Sequence, residues 1–166
     1  RFAPVTFVIH LMQGGRLVVD SKQTARPRGG QARFVFAGDQ PALLLTEQGT
    51  ERKAGVWCMP ADAVLTSPPL AQLGPEADLV EPDELARRFA ERSVRLHGFL
   101  RDQRVIAGLG RRLANEVCHR AKLSPFAMTG KLGPDAAAEV VKAIREAIAE
   151  GLEYERARED MSSSKD

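Results

Sequence analysis

Apolar side chains in the first sixty residues come in short runs that turn residues separate. β-Branched and aromatic residues dominate these runs, and Gly, Pro and Asp bound them, which is typical of β-strands. The runs are 5–9, 16–19, 32–36, 42–46 and 54–59. Between the third and fourth runs, GDQP (38–41) predicts a hairpin turn. Four or five strands at this short spacing predict a β-sandwich or barrel.

From residue 82 onward the apolar positions recur with the 3.6-residue period of an α-helix. Pro82 and the two acidic residues after it favour a helix start, because proline suits the first turn and carboxylates stabilise its positive end. In the third predicted helix, Leu113, Val117 and Ala121 share one face. Strands followed by helices predict the α+β class. The predicted helices are 82–93, 94–103, 111–123 and 133–160.

The stretch between the two halves is rich in proline and acid, and it is predicted to wrap as a connector without strand or helix. Its composition divides the chain into four parts. These are a β-sandwich domain over 1–64, the connector over 65–84, a helical domain over 85–160 and a tail over 161–166.

Charge is distributed unevenly, although the formal net charge is only +2. Residues 86–122 hold ten Lys and Arg against three Asp and Glu, whereas residues 61–85 hold six acids and no base. A local basic excess is typical of a surface that meets a polyanion. It is equally typical of a solvated helix surface that neighbouring acids compensate. Charge alone leaves both interpretations open.

The sequence gives little support for a metal site, a disulfide bond or a membrane span. Cys58 and Cys118 are far apart in the chain, and Cys118 is predicted to be a small core residue. The three histidines lack the spacing of metal ligands. No apolar run approaches the roughly 20 residues that a membrane span needs. We therefore expect no metal or other cofactor in this chain and no membrane partner.

The segment VIAGLGRRLANEV (105–117) is the strongest candidate for chemistry. Gly108 and Gly110 precede a helix start, where unpaired amides and a partial positive charge favour phosphate. Arg111 and Arg112 would add charge-assisted donors. The same glycines could instead make an ordinary packing turn between helices. From these residues alone, both interpretations stay open.

Several spaced motifs together resemble the formamidopyrimidine-DNA glycosylase and endonuclease VIII family. They are VIHLMQGGRL (8–17), LGPEADL (73–79) and FLRDQRVIAGLGRRLANEV (99–117). The resemblance extends over about residues 7–160. The positions kept from the family motifs are His10, Leu11, Gly15, Leu17, Leu100, Asp102, Gln103, Gly108, Gly110, Glu116, Ala121 and Pro125.

This resemblance implies a β-sandwich followed by a helix-two-turns-helix domain that binds damaged or abasic double-stranded DNA in base excision repair. Family members flip the damaged base out, cleave its glycosidic bond with an N-terminal proline amine, and then cut the strand. It also implies a monomer in the cytoplasm, associated with the nucleoid. The family's zinc belongs to a C-terminal finger that this chain lacks.

The resemblance also assigns roles to particular residues. Phosphate would meet the amides near Gly108 and Gly110, the side chains of Arg111 and Arg112, and His10 from the β domain. Gln13 and Arg52 would face the lesion. Apart from the family pattern, Lys53 is the candidate DNA-contacting amine for a Schiff base, and the alternative is a solvated surface lysine.

Departures from the family pattern leave two hypotheses. The catalytic Pro-Glu start is absent, because the chain opens Arg1-Phe2, so no catalytic residue is assigned. Gln13 replaces a methionine, Ala54 replaces a wedge phenylalanine, and Arg111 replaces an asparagine. The chain is predicted to be a damaged-DNA-binding repair protein of this family, as a piece of a longer glycosylase. The alternative is a catalytically inactive, truncated paralogue that acts as a DNA-binding or interaction module.

Overall fold

The computed structural model describes residues 4–157, which form two compact units that meet in sequence at Pro68 and Pro69. The predicted tail over 161–166 and the Arg1-Phe2 start lie outside the described residues. The α+β class is confirmed, because the first unit is built of strands and the second of helices.

The first unit contains five antiparallel strands, as predicted. Strands β1 and β5 form a two-stranded sheet, and β2, β4 and β3 form a three-stranded sheet with β4 in the centre. The predicted hairpin over 38–41 joins β3 to β4. Leu44 and Leu45 on β4 are buried, as expected of a central strand. The strands are β1 (Val5–His10), β2 (Gly15–Asp20), β3 (Gly30–Phe34), β4 (Ala42–Glu47) and β5 (Gly55–Pro60).

The second unit contains the four predicted helices around one apolar core. Phe89 and Phe99 pack edge to face at its centre, with their ring centroids 5.0 Å apart. The third helix differs in detail from its prediction, because Ala114 joins the buried face while Leu113 is only partly buried. Cys118 is buried, as predicted. Burial also raises the pKa of the Cys118 thiol. The helices are α1 (Pro82–Glu91), α2 (Leu96–Arg101), α3 (Arg111–Arg120) and α4 (Pro134–Ala157).

Much of the predicted connector belongs to the helical unit. It contains two short 3-10 turns, Leu70–Gln72 and Ala77–Leu79, and α1 begins inside it at Pro82. Ala77 and Val80 are buried in the helical core. Arg145 on α4 fastens the segment, since its guanidinium donates to the Val80 carbonyl at 3.2 Å and pairs with Glu81 at 2.8 Å.

The segment Leu73–Glu76 runs beside the loop that precedes α3. The Gly74 amide donates to the Gln103 carbonyl at 2.8 Å, and the Ala77 amide donates to the Ala107 carbonyl at 2.9 Å. The two backbones approach so closely that a methyl group on Gly74 would lie 2.5 Å from the Val105 carbonyl oxygen. Only glycine fits this position without moving backbone.

Gly74→Ala should therefore lower the free energy of unfolding by roughly 1–3 kcal/mol, the usual cost of overpacking. Gly98→Ala is the matched control, because a methyl group at Gly98 in α2 meets open space and alanine favours a helix. Urea unfolding followed by the helical circular dichroism signal measures both. Equal stability of the two variants would contradict the close approach at Gly74.

Candidate nucleic-acid interface

The first turn of α3 has no side-chain cap among the described residues, although the Glu76 carboxylate lies beside the preceding loop, 3.3 Å from where a methyl group on Gly108 would be. The helix begins at Arg111, and extended backbone at Gly110 leads into it. No side chain of the described residues caps this helix by a hydrogen bond, and its first turn contains no acid. Arg111 and Arg112 are both exposed. First-turn amides and two guanidinium groups therefore face outward together, an arrangement that suits an anion.

The side chain of Gln103 shapes the loop that leads to this helix. Its Oε1 accepts from the Gly108 amide at 2.9 Å, and its Nε2 donates to the Leu109 carbonyl at 2.8 Å. Gly108 has a φ of +95°, which glycine adopts without strain. Leu109 is buried, while the glycines on both sides of it are exposed. The loop is thus both a packing turn, through Leu109, and an open approach to the helix start.

Asp102 holds the beginning of the same loop. Its Oδ1 accepts from the Arg104 amide at 3.1 Å, and its Oδ2 lies 2.6 Å from Nη1 of Arg92. The hydrogen bond from Arg92 holds the pKa of Asp102 below its ordinary value. Asp102 and Gln103 are therefore structural supports of the helix start. The sequence identified them only as positions kept from the family motif, without a role.

Carboxylates limit the positive surface on the side of α3 that faces α4. Arg120 bonds to Glu116 at 2.7 Å and to Glu150 at 2.5 Å, and these bonds raise its pKa. A cavity of about 600 Å³ beside these groups is also lined by Arg112 and Gly108. Glu76 and Asp78 line this cavity as well, so carboxylates flank Arg112, whereas Arg111 does not line it.

The other predicted site residues lie at one end of the first unit. Strand β1 pairs with β5 so that His10 faces Gly55, and β2 pairs with β4 so that Gly15 faces Glu47. The β1–β2 turn and the β4–β5 loop therefore lie at the same end of their sheets. This places His10, Gln13, Arg52 and Lys53 there.

These four residues are all exposed. His10 Nδ1 accepts from the Met12 amide at 3.2 Å, which orders the β1–β2 turn. Lys53 Nζ lies 2.7 Å from Glu51, so the candidate amine is a solvated ion pair. Arg52 Nη2 donates to the Arg28 carbonyl at 3.3 Å. Arg28 lies in the irregular stretch between β2 and β3, where no periodic pattern singles out a residue.

Each unit thus carries one group of the predicted residues. The helical unit brings together Gly108, Gly110, Arg111 and Arg112, and the β unit brings together His10, Gln13, Arg52 and Lys53. Within residues 4–157, no cluster of three or more His, Cys, Asp or Glu side chains could hold a metal ion. Of the helices in that range, none is long and apolar enough to cross a membrane.

Comparison with known proteins identifies relatives of both units. Residues 73–163 match the family model of the formamidopyrimidine-DNA glycosylase H2TH domain. A formamidopyrimidine-DNA glycosylase from Cereibacter sphaeroides is 32% identical over 155 residues, which cover 89% of this chain and 55% of the relative. An uncharacterized formamidopyrimidine-DNA glycosylase-like protein from Mycobacterium tuberculosis is 47% identical over 60 residues, covering 36% of this chain and 38% of that protein. The chain spans about half the length of the glycosylases that it matches.

The same architecture occurs in a solved complex of Lactococcus lactis Fpg with DNA that contains an abasic site. The TM-score is 0.80 at 18% identity, over 90% of this chain and 55% of that one. The likeness is one of fold, and it extends over strands and helices alike.

The Arg92–Asp102 pair should make stability depend on pH. Because the pKa of Asp102 is lower in the folded state than its ordinary value of 3.8, its contribution is present above about pH 4 and is lost as the pH falls through the folded-state pKa. Asp102→Asn should therefore be destabilising at neutral pH, and its difference from the wild type should shrink in acid.

Urea unfolding at a series of pH values measures this difference. Glu139→Gln on α4 is the control, because Glu139 is an exposed carboxylate without an ion pair in the described part of the chain. A destabilisation by Asp102→Asn that stays constant from pH 7 to pH 3 would refute the ion pair.

Proposed function

The chain belongs to the formamidopyrimidine-DNA glycosylase family, and on that premise we propose that it binds damaged or abasic duplex DNA in base excision repair. The observation that carries the proposal is the start of α3, where no side chain of the described residues caps the first turn and Arg111 and Arg112 are both exposed, an arrangement that suits an anion. Duplex DNA is the partner that the family implies, and a phosphate of its backbone would be the anion bound at this helix start.

The start of α3 would position the protein on the duplex without reading its sequence. Phosphate contacts fix register and orientation, whereas contacts to bases supply selectivity. Arg111 stands where the family pattern has asparagine, so a charged donor replaces a neutral one. An arginine that neutralises a phosphate releases counterions, which strengthens the salt-dependent part of binding.

The loop end of the β unit would supply the contacts around the lesion. His10 would offer a donor to the DNA backbone, and Arg52 would face the lesion together with Gln13, whose exposed side-chain amide lies in the β1–β2 turn. Glutamine can hydrogen-bond to base edges, whereas the methionine of the family pattern can only fill space. We therefore assign damage preference to Gln13 and its neighbours.

The described residues are assigned to binding rather than to bond cleavage. Schiff-base formation needs an unprotonated amine, and Lys53 is held as an exposed ion pair with Glu51. Glycosidic cleavage and strand cutting are the chemistry that the family would supply from its Pro-Glu start. The match to DNA glycosylases over 89% of the chain favours this repair role over an inactive interaction module.

Replacing Arg111 and Arg112 together by alanine should weaken binding to damaged and undamaged duplexes alike. Each lost phosphate contact should flatten the slope of log affinity against log salt by about 0.9. Fluorescence anisotropy of a labelled duplex over a range of salt concentrations measures both effects.

The control is the double variant Arg87→Ala with Lys142→Ala, which removes the same charge from exposed positions on α1 and α4. If both double variants lose affinity equally, net charge alone explains binding and α3 has no special role. Unchanged affinity and slope after loss of Arg111 and Arg112 would exclude the start of α3 as the phosphate site.

A further inference from the structure

A second exposed surface lies at the far end of α3, in the segment that follows the helix. Phe126 is 68% exposed there, and Met128 is exposed as well. The Arg95 guanidinium lies over the Phe126 ring, with its Cζ 5.6 Å from the ring centroid. We call Arg95, Lys122, Phe126 and Met128 the Phe126 surface. Aromatic side chains, methionine and arginine are the residues enriched at protein interfaces.

The backbone under this surface is tied to the start of α2. The Leu96 amide donates to the Ala127 carbonyl at 2.8 Å, and the His97 amide donates to the Pro125 carbonyl at 3.1 Å. Both neighbours of Phe126 in the chain are therefore held by hydrogen bonds. The surface is formed before any partner arrives, so little backbone ordering is needed on binding.

Lys122 stands at a helix end where glycine is the usual residue. The Leu123 amide donates to the Cys118 carbonyl at 3.0 Å, and the Lys122 amide donates to the His119 carbonyl at 3.1 Å. These two bonds end a helix through one residue in the left-handed conformation, and Lys122 is that residue, with a φ of +53°. A side chain in this conformation costs stability that glycine would avoid. Lysine therefore occupies the position against the preference of the backbone, which makes it a candidate for function.

The charge around Phe126 is positive and has no counter-ion of its own. The two segments that form the surface, 92–101 and 117–132, contain no Asp or Glu. Arg95 and Lys122 are exposed, and neither lies within ion-pair distance of a carboxylate in residues 4–157, whereas Arg120 pairs with Glu116. An apolar patch among unpaired cations is complementary to a segment that carries both carboxylates and an apolar side chain.

We propose that the Phe126 surface binds an acidic segment of a partner protein. Phe126 and Met128 receive an apolar side chain of that segment. Arg95 and Lys122 pair with the carboxylates beside it. Single-stranded nucleic acid fits less well, because a base needs an open ring to stack on and the Arg95 guanidinium covers one face of Phe126.

This surface is separate from the proposed DNA site. Helix α3 has ten residues and is therefore about 15 Å long. The DNA site is at its first turn, and the Phe126 surface follows its last turn. The inference thus goes beyond the proposed function and does not depend on it.

An NMR titration of the ¹⁵N-labelled 166-residue chain tests the proposal. The probe is the synthetic peptide Asp-Asp-Glu-Asp-Leu-Phe, and its control has serine in place of leucine and phenylalanine. The probe should shift amide signals within 94–97 and 122–129, and the control should bind at least about fivefold more weakly. If the probe shifts none of these signals, or if both peptides bind equally, the proposal is overturned.

Two variants test the named residues. Phe126→Ala should weaken binding of the probe at least about fivefold, as the loss of a central apolar anchor does. Leu79→Ala is the matched control, because Leu79 is 71% exposed in the same unit but lies outside the surface. Lys122→Gly should also weaken binding, and its effect should shrink as salt screens the charge. Equal binding by the wild type and both variants would refute the proposal.

Thermal melting separates a lost contact from a folding defect. Lys122→Gly should melt at the same temperature as the wild type or higher, because glycine suits the left-handed backbone at this position. Weaker binding by a variant of equal or greater stability then assigns the loss to the lysine charge. A lower melting temperature for Lys122→Gly would refute the role given to Lys122.

Nucleic acids provide the remaining comparison. If a single-stranded thymidine oligonucleotide shifts the same amides while the probe does not, the surface binds nucleic acid and the proposal fails. A duplex should instead shift amides near Gly110 and Arg111 and leave those within 122–129 unmoved. A chain that binds the probe but no duplex would refute the proposed function and leave this inference intact.

Discussion

The helical interface depends on two hydrogen bonds made by the side-chain amide of Gln103. It accepts from the Gly108 amide and donates to the Leu109 carbonyl, so one side chain fixes the last turn before α3. Leu109 can then enter the core while the glycines beside it remain at the surface. Without these two bonds, the Gly108 amide would lose its acceptor, Gln103 Oε1, and the loop that sets the direction of the first turn of α3 would be less ordered. The supporting residue is neutral and leaves the potential at Arg111 unchanged.

The β unit uses a different device to the same end. The Glu47 carboxylate is buried and accepts from the Ala54 amide, so it closes the β4–β5 loop without lining the surface cavity beside Arg28 and Arg52. Its backbone amide fixes the neighbouring loop at Gly29. A buried carboxylate normally costs stability unless a donor satisfies it, and the backbone supplies that donor here. In both units, a buried or half-buried polar side chain orders a loop, and the arginines beside that loop form no ion pair within residues 4–157. These arginines are Arg111 and Arg112 in the helical unit and Arg28 and Arg52 in the β unit.

The regular elements were predictable because periodicity alone decides them. Strand runs bounded by turns and 3.6-residue patterns gave all five strands and all four helices, with small shifts at their ends. The burial of Ala77 and Val80 was not predicted, because two apolar residues among prolines and acids show no periodicity and their burial depends on α4. The contact between Arg28 and Arg52 was not predicted for a related reason. The two residues are 24 positions apart, and only the pairing of β3, β4 and β5 brings the two loops together. The sequence identified Gln103 as part of a family motif. Its structural role could not be predicted, because it depends on hydrogen bonds from its side chain to backbone atoms of Gly108 and Leu109.

On the proposed function, Arg111 in place of asparagine and Gln13 in place of methionine would shift the balance between the two kinds of DNA contact. A second cation at the start of α3 strengthens a term that is equal for every duplex and that salt weakens. A polar amide in place of an apolar side chain loses space-filling in the gap that a flipped base leaves, and gains hydrogen bonds that need a matching partner. Tight binding would then come from the backbone, and discrimination would depend on how well the β unit is aligned with one strand. If the chain binds DNA as proposed, the loops at that end of the β unit would set the alignment, because the β1–β2 turn that carries Gln13 and the β4–β5 loop that carries Arg52 lie at the same end of their sheets.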